Sequence, residues 1–160
     1  MFSAREIYDI AIRLEENSVR LYREALSHVS DEALRDILKW LVDEEEGHRN
    51  RFVEMKNEVK PESDDLWADR MSTAILQGAV QHHAFSLEET DFASVEDETQ
   101  LLKAAIDFEQ DGILFYEIIR SFVTDSDTLD HIDEIIAEER KHVELFEKRR
   151  GTRPVLPARP

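Results

Sequence analysis

The chain has no cysteine. That absence removes disulfides, thiol nucleophiles, iron–sulfur clusters and thiolate-bound iron together. Glycine and proline are scarce, with four of each in 160 residues, so few positions interrupt a helix. No apolar run approaches the roughly 18 residues of a membrane span. The first residues, MFSAREIYDIA, lack the apolar stretch of a signal peptide, and the expectation is a soluble, cytoplasmic protein with no membrane partner. Basic residues are also in the minority: 20 Lys and Arg stand against 37 Asp and Glu, a net charge of −17. Phosphate backbones need a basic surface, so nucleic acid is excluded as a partner, whereas an acidic exterior draws cations inward.

What the chain does contain is charged residues, 36 % of the total, and most of them read as solvated helix surface. A few do not. In Leu34 to Met55, LRDILKWLVDEEEGHRNRFVEM, steps of four and three residues pass through Leu34, Leu38, Leu41, Glu45, His48, Phe52 and Met55. Those positions share one helical face, which places Glu45 and His48 inside an apolar stripe. Burying an unpaired carboxylate costs several kcal/mol or forces it to neutralise, so a Glu between Leu and Phe calls for a cation.

A second Glu-x-x-His occurs in IIAEERKHVELF, where Glu139 and His142 lie in the stripe Ile132, Ile135, Glu139, His142 and Phe146. Each ligand type recurs after 94 positions. The same offset aligns the preceding segments, IYDIAIRLEENSVRLYREAL and LLKAAIDFEQDGILFYEIIR, pairing Ala11 with Ala105, Glu15 with Glu109, Ser18 with Gly112 and Tyr22 with Tyr116. The chain is therefore a duplicated helical hairpin, and each half supplies one lone Glu plus one Glu-x-x-His.

Four helices are expected, about 3–28, 31–59, 97–122 and 128–149. Ser3-x-x-Glu6 has the form of a capping box, and Asp97-x-x-Gln100 repeats it at the same offset. Lys60-Pro61 ends the second helix, because the residue before proline disfavours the α region. Residues 61–95 have no counterpart in the repeat and form the long crossover between hairpins, with a helical stretch over DDLWADRMSTAILQGAVQHHAF. His82 and His83 within it are adjacent and face different ways, which favours surface or interface roles over metal binding. The expected organisation is one domain over residues 1–150 and an extended tail over 151–160, since GTRPVLPARP is not a helix-forming sequence.

Six residues emerge as candidate metal ligands: Glu15, Glu45, His48, Glu109, Glu139 and His142. Four carboxylates balance two divalent ions, and two imidazoles complete mixed oxygen and nitrogen shells suited to iron or manganese. Glu45 and Glu139 are best placed to bridge two ions, with Glu15 and Glu109 at the ends and one histidine on each ion. Ser18 and Gly112, small and one turn from the lone Glu, leave room for ions or an oxidant. Tyr22 and Tyr116, seven residues beyond Glu15 and Glu109, are positioned to donate hydrogen bonds to ligating carboxylates.

One Glu from each of two helices and a Glu-x-x-His from each of the others is the constellation of ferritin-like dinuclear carboxylate proteins. The sequence resembles that superfamily and, within it, the di-iron domain of the rubrerythrin family, through LEENSVRLY, EEEGH, FEQDGILFY and EERKH. The resemblance implies an all-α, ferritin-like four-helix bundle, a homodimer or higher homo-oligomer, and a centre of two iron ions, or manganese, that reacts with hydrogen peroxide or dioxygen. Two departures are visible. With no cysteine-bearing rubredoxin domain, the electron donor is expected to be a separate protein. Rubrerythrins also carry an extra acidic ligand near one turn from the third helix's Glu, whereas Ile106 and Gly112 flank Glu109 here, which makes the set more symmetric. Three functions compete: a di-iron oxidoreductase of peroxidase type, a ferroxidase or iron-storage protein, and a non-catalytic bundle stabilised by metal.

Overall fold

The computed structural model describes residues 3–59, 95 and 97–151. Four helices make up these residues: α1 (Ala4–His28), α2 (Glu32–Glu58), α3 (Glu98–Arg120) and α4 (Ser126–Gly151). Their starts are set by side chains that satisfy the first N–H groups, which have no partner within a helix. Ser3 accepts from the Glu6 N–H at 3.3 Å while the Glu6 carboxylate accepts from the Ser3 N–H at 2.8 Å, closing the expected capping box. Asp31 accepts from Leu34, Asp97 from Gln100 and Asp125 from Thr128, at 2.8 to 3.0 Å. The caps obey the duplication too: Ser3 and Asp97, like Asp31 and Asp125, are 94 positions apart.

The boundaries differ from expectation at three ends. Helix α3 stops at Arg120, and Phe122 and Val123 close the turn with N–H bonds to Ile119 and Arg120 at 3.0 and 3.2 Å. Helix α4 starts at Ser126 because the Asp125 cap lies upstream of Thr128. It also runs through Gly151, the residue assigned to the tail; a last-turn glycine lacks little that an exposed helix end would use. The crossover, with its helical stretch and His82 and His83, and the tail beyond Gly151 lie outside the described residues.

Ion pairs give the register within each hairpin. Arg49 meets Glu16 at 3.2 Å, Lys56 meets Asp9, and Arg5 donates to the Lys56 and Val59 carbonyls at 3.1 and 3.0 Å, so α1 and α2 run antiparallel. Arg120 with Asp133, Arg140 with Glu117, and Arg149 with Glu98 do the same for α3 and α4. Such exposed pairs contribute only about 0–1 kcal/mol each. The weight of the fold rests on burial.

Close backbone approach is concentrated within each hairpin and is sparse between them. The apolar side chains accordingly form two clusters rather than one. One gathers Tyr22, Ala25, Leu38, Leu41, Leu101, Ala105 and Phe146, and the other Ile7, Leu14, Phe52, Tyr116, Ile132 and Ile135. Between these plugs lies a layer of buried charge. No helix among the described residues is long and apolar enough to cross a membrane.

Candidate metal centre

Each helix brings one or two polar groups to that layer because its stripe is interrupted there: Glu15 on α1, Glu45 and His48 on α2, Glu109 on α3, Glu139 and His142 on α4. All six are buried, none more than 6 % exposed. They form two overlapping sets. Glu15, Glu45, His48 and Glu139 offer ligand atoms within 4.8 Å of one another, and so do Glu45, Glu109, Glu139 and His142. Glu45 and Glu139 belong to both sets. Shifting every residue by 94 exchanges one set for the other.

The tyrosines tie the halves together. Tyr22 of α1 donates to Glu109 Oε1 of α3 at 2.7 Å, and Tyr116 of α3 donates to Glu15 Oε1 of α1. Each therefore serves the carboxylate of the opposite hairpin. The two imidazoles stack, with centroids 5.8 Å apart and planes 10° from parallel. Glu139 lies between them, one oxygen 2.8 Å from His48 Nδ1 and the other 3.0 Å from His142 Nδ1.

Crowding four carboxylates in one dry layer perturbs their protonation. Burial raises Glu15, Glu45 and Glu109 above the ordinary carboxylate range, and the charge of Glu139 adds to the rise of Glu45 and Glu109. Burial acts on Glu139 in the same direction, but its contacts with His142 and His48 hold it low. For His48 burial favours the neutral ring, yet the contact with Glu139 and its charge prevail and push it up to about 9. Without metal, protons take the role of counter-ions.

That arrangement leaves defects a cation would cure. Among the described residues, Glu45 Oε1 is buried with no hydrogen-bond partner, and His48 Nδ1 has a Glu139 oxygen 2.8 Å away but outside hydrogen-bond geometry. An unpaired buried polar atom costs about 1–3 kcal/mol. Both belong to the four-residue set around Glu15, and the donors are the oxygen and nitrogen types that divalent iron or manganese prefers. The residues fit the group that the sequence implies.

Beside the carboxylates lies a cavity of about 20 Å³, lined also by Leu14, Phe108, Ser18, Gly112 and Tyr116. That is room for about one water-sized guest. The expectation for the two small residues is met: a Cβ added at Gly112 would touch nothing within 4 Å, and the Ser18 hydroxyl turns back to the Leu14 carbonyl at 3.2 Å.

Two further acids escaped the sequence reading. His48 Nε2 lies 3.0 Å from Glu138 Oε2, and His142 Nε2 lies 3.5 Å from Glu44 Oε2. Glu44 and Glu138 are themselves 94 apart, each directly before a candidate ligand. The signal was present in EEEGH and EERKH, whose paired acids repeat, but neighbouring residues on a helix face different ways and only the stripe was followed.

No curated protein and no solved structure matches the chain. A family model does: Rubrerythrin, over residues 6–150, which takes in nearly all of the four helices and every group in the buried layer. With its duplicated hairpins and its midplane of carboxylates and histidines, the chain belongs to the rubrerythrin family of ferritin-like di-iron carboxylate proteins.

Proposed function

We propose that the protein is a dinuclear-metal oxidoreductase that uses two iron ions to reduce hydrogen peroxide or dioxygen. The observation that carries this reading is the pair of overlapping buried ligand sets that share Glu45 and Glu139. In it, Glu15 and His48 would hold one ion, Glu109 and His142 the other, and Glu45 and Glu139 would be within reach of both. Two bound iron ions would supply one electron each, which together match the two-electron reduction of an O–O bond.

The chain's own residues prepare that chemistry. Tyr22 and Tyr116 fix Glu109 and Glu15 through hydrogen bonds from the opposite hairpin, which limits how far either carboxylate can swing. Leu14 and Phe108 give the cavity beside the carboxylates an apolar wall, and its size admits only a small guest. Tyr22 and Tyr116 are held protonated, since burial and the adjacent Glu109 and Glu15 raise both phenols, and each hydroxyl remains a donor at neutral pH. In this reading a separate donor supplies the re-reducing electrons.

The test is an anaerobic Fe(II) titration of metal-free protein, after which the loaded sample is divided between dioxygen and hydrogen peroxide and the oxidation is timed. Two ions per chain and faster oxidation by peroxide are expected. Faster reaction with dioxygen and continued Fe(II) uptake would point to a ferroxidase instead. Failure to bind two ions would sink the reading.

A further inference from the structure

The two histidines present the same nitrogen, Nδ1, toward the carboxylates, but their outward nitrogens are held differently. His48 Nε2 meets Glu138 at 3.0 Å, and Glu138 is gripped by both terminal nitrogens of Arg51, one of them at 3.0 Å. A guanidinium fork fixes a carboxylate in angle as well as distance. On the other side His142 Nε2 stands 3.5 Å from Glu44, beyond a well-formed N–H···O bond. The residue 94 positions after Arg51 is Leu145, 49 % exposed, and among the described residues no Lys or Arg pairs with Glu44. The His142 ring instead packs against Trp40 in a T-shaped contact, centroids 5.1 Å apart, which confines the ring.

We propose that Arg51 and Glu138 are positioning residues that make the His48 end of the centre the tighter metal position, so that the two ions bind in order, first beside Glu15 and His48 and then beside Glu109 and His142. The inference rests on the dinuclear reading above. A carboxylate that accepts the outward N–H of a ligating histidine fixes the tautomer, orients the ring and strengthens the inward nitrogen as a donor. For His48 that partner is already locked. For His142 it must be drawn in and ordered as the ion binds, and the ordering cost appears as weaker affinity.

Loss of such an outer partner typically lowers metal affinity about 10- to 100-fold, which sets the scale of the test. Metal-free protein is titrated anaerobically with Co(II), following the visible d–d bands that report each ion's surroundings together with the binding heat. Two steps about tenfold apart or more are expected. His142→Ala should remove the weaker step and spare the tighter. Arg51→Leu should weaken the tighter step about tenfold and bring the two together, and Arg51→Lys should restore part of the difference. Leu145→Arg should strengthen the weaker step by offering Glu44 a fork of its own. Because Leu145 is exposed, that variant tests the claim even where Arg51→Leu lowers stability, which circular dichroism would register. Two indistinguishable steps in the unaltered protein, or steps unmoved by both Arg51→Leu and Leu145→Arg, would overturn the inference and leave the dinuclear centre standing. Fewer than two ions per chain would overturn both.

Discussion

The α1–α2 hairpin and the α3–α4 hairpin agree at the candidate ligands and the tyrosines that reach them, and diverge around them. Glu15 and Glu109, Glu45 and Glu139, His48 and His142, and Tyr22 and Tyr116 match type for type. Outside them, Arg51 stands opposite Leu145 and Trp40 opposite Glu134. Even a shared link can be inverted: Arg23 of α1 pairs with Glu46 of α2, while at the equivalent positions Glu117 of α3 pairs with Arg140 of α4. The cause is energetic. A change in the buried layer strands a charge or a donor from the other half, whereas an exposed pair can reverse sign at almost no cost.

The comparison breaks most completely if the groups common to both sets are removed. Glu45→Ala with Glu139→Ala should abolish two-ion binding in metal analysis while the helical circular dichroism persists, because the variant loses buried charge and no apolar packing. Retention of two ions per chain would refute the assignment of these residues. Next come the two plugs. Phe52 and Phe146 are equivalent and fully buried, so Phe52→Ala and Phe146→Ala should each cost about 3–5 kcal/mol in denaturant unfolding. Costs that differ by more than the spread of such sites would show that one hairpin dominates stability.

A third test sets metal-free protein against loaded protein across pH. Glu15, Glu45 and Glu109 titrate above their ordinary value of 4.5 in the folded chain, so their stabilisation is full below that value and is lost as pH rises. His48 acts in the same direction, contributing fully below 6.5 and losing its contribution as pH rises through about 9. Glu139, held low, contributes above 4.5 and loses its share only in acid. Calorimetry should therefore show the Tm of metal-free protein falling from pH 5 toward pH 9. Loaded protein should gain relative to it over the same interval, since metal and protons compete for the same atoms. A Tm of metal-free protein that rises with pH would contradict the protonated layer. The smallest effect belongs to the inverted surface pair: Arg23→Ala and Arg140→Ala should each shift stability by less than about 1 kcal/mol, and by similar amounts.

Much of this was legible in the sequence, and the reasons are local. A helix face repeats every three or four residues, so a carboxylate or imidazole in an apolar stripe announces its burial, and a fixed offset turns one such oddity into a pattern. Asp97, Glu45 and His142 were found that way, and Ser3 from its capping-box spacing to Glu6. What escaped depends on how helices meet. The reach of Tyr22 to Glu109 rather than to a neighbour on its own hairpin, the contact of Glu138 with His48, and the grip of Arg51 on Glu138 follow from packing between helices, which no single-helix periodicity contains. The end of α3 and the start of α4 each moved by two residues for the same kind of reason: the turn after Arg120 and the Asp125 cap decide them, not the apolar stripe.

The crossed tyrosines carry a last consequence, for the freedom of the two copies to change. A free-standing hairpin docked on an identical twin would owe each carboxylate's hydrogen bond to the other molecule, and any substitution at one position would appear on both sides of the axis at once. Joined in one chain, the copies keep that mutual debt in the buried layer but are released from it elsewhere. An arginine on one side no longer obliges an arginine on the other, and a centre that began from equivalent halves can acquire a front and a back.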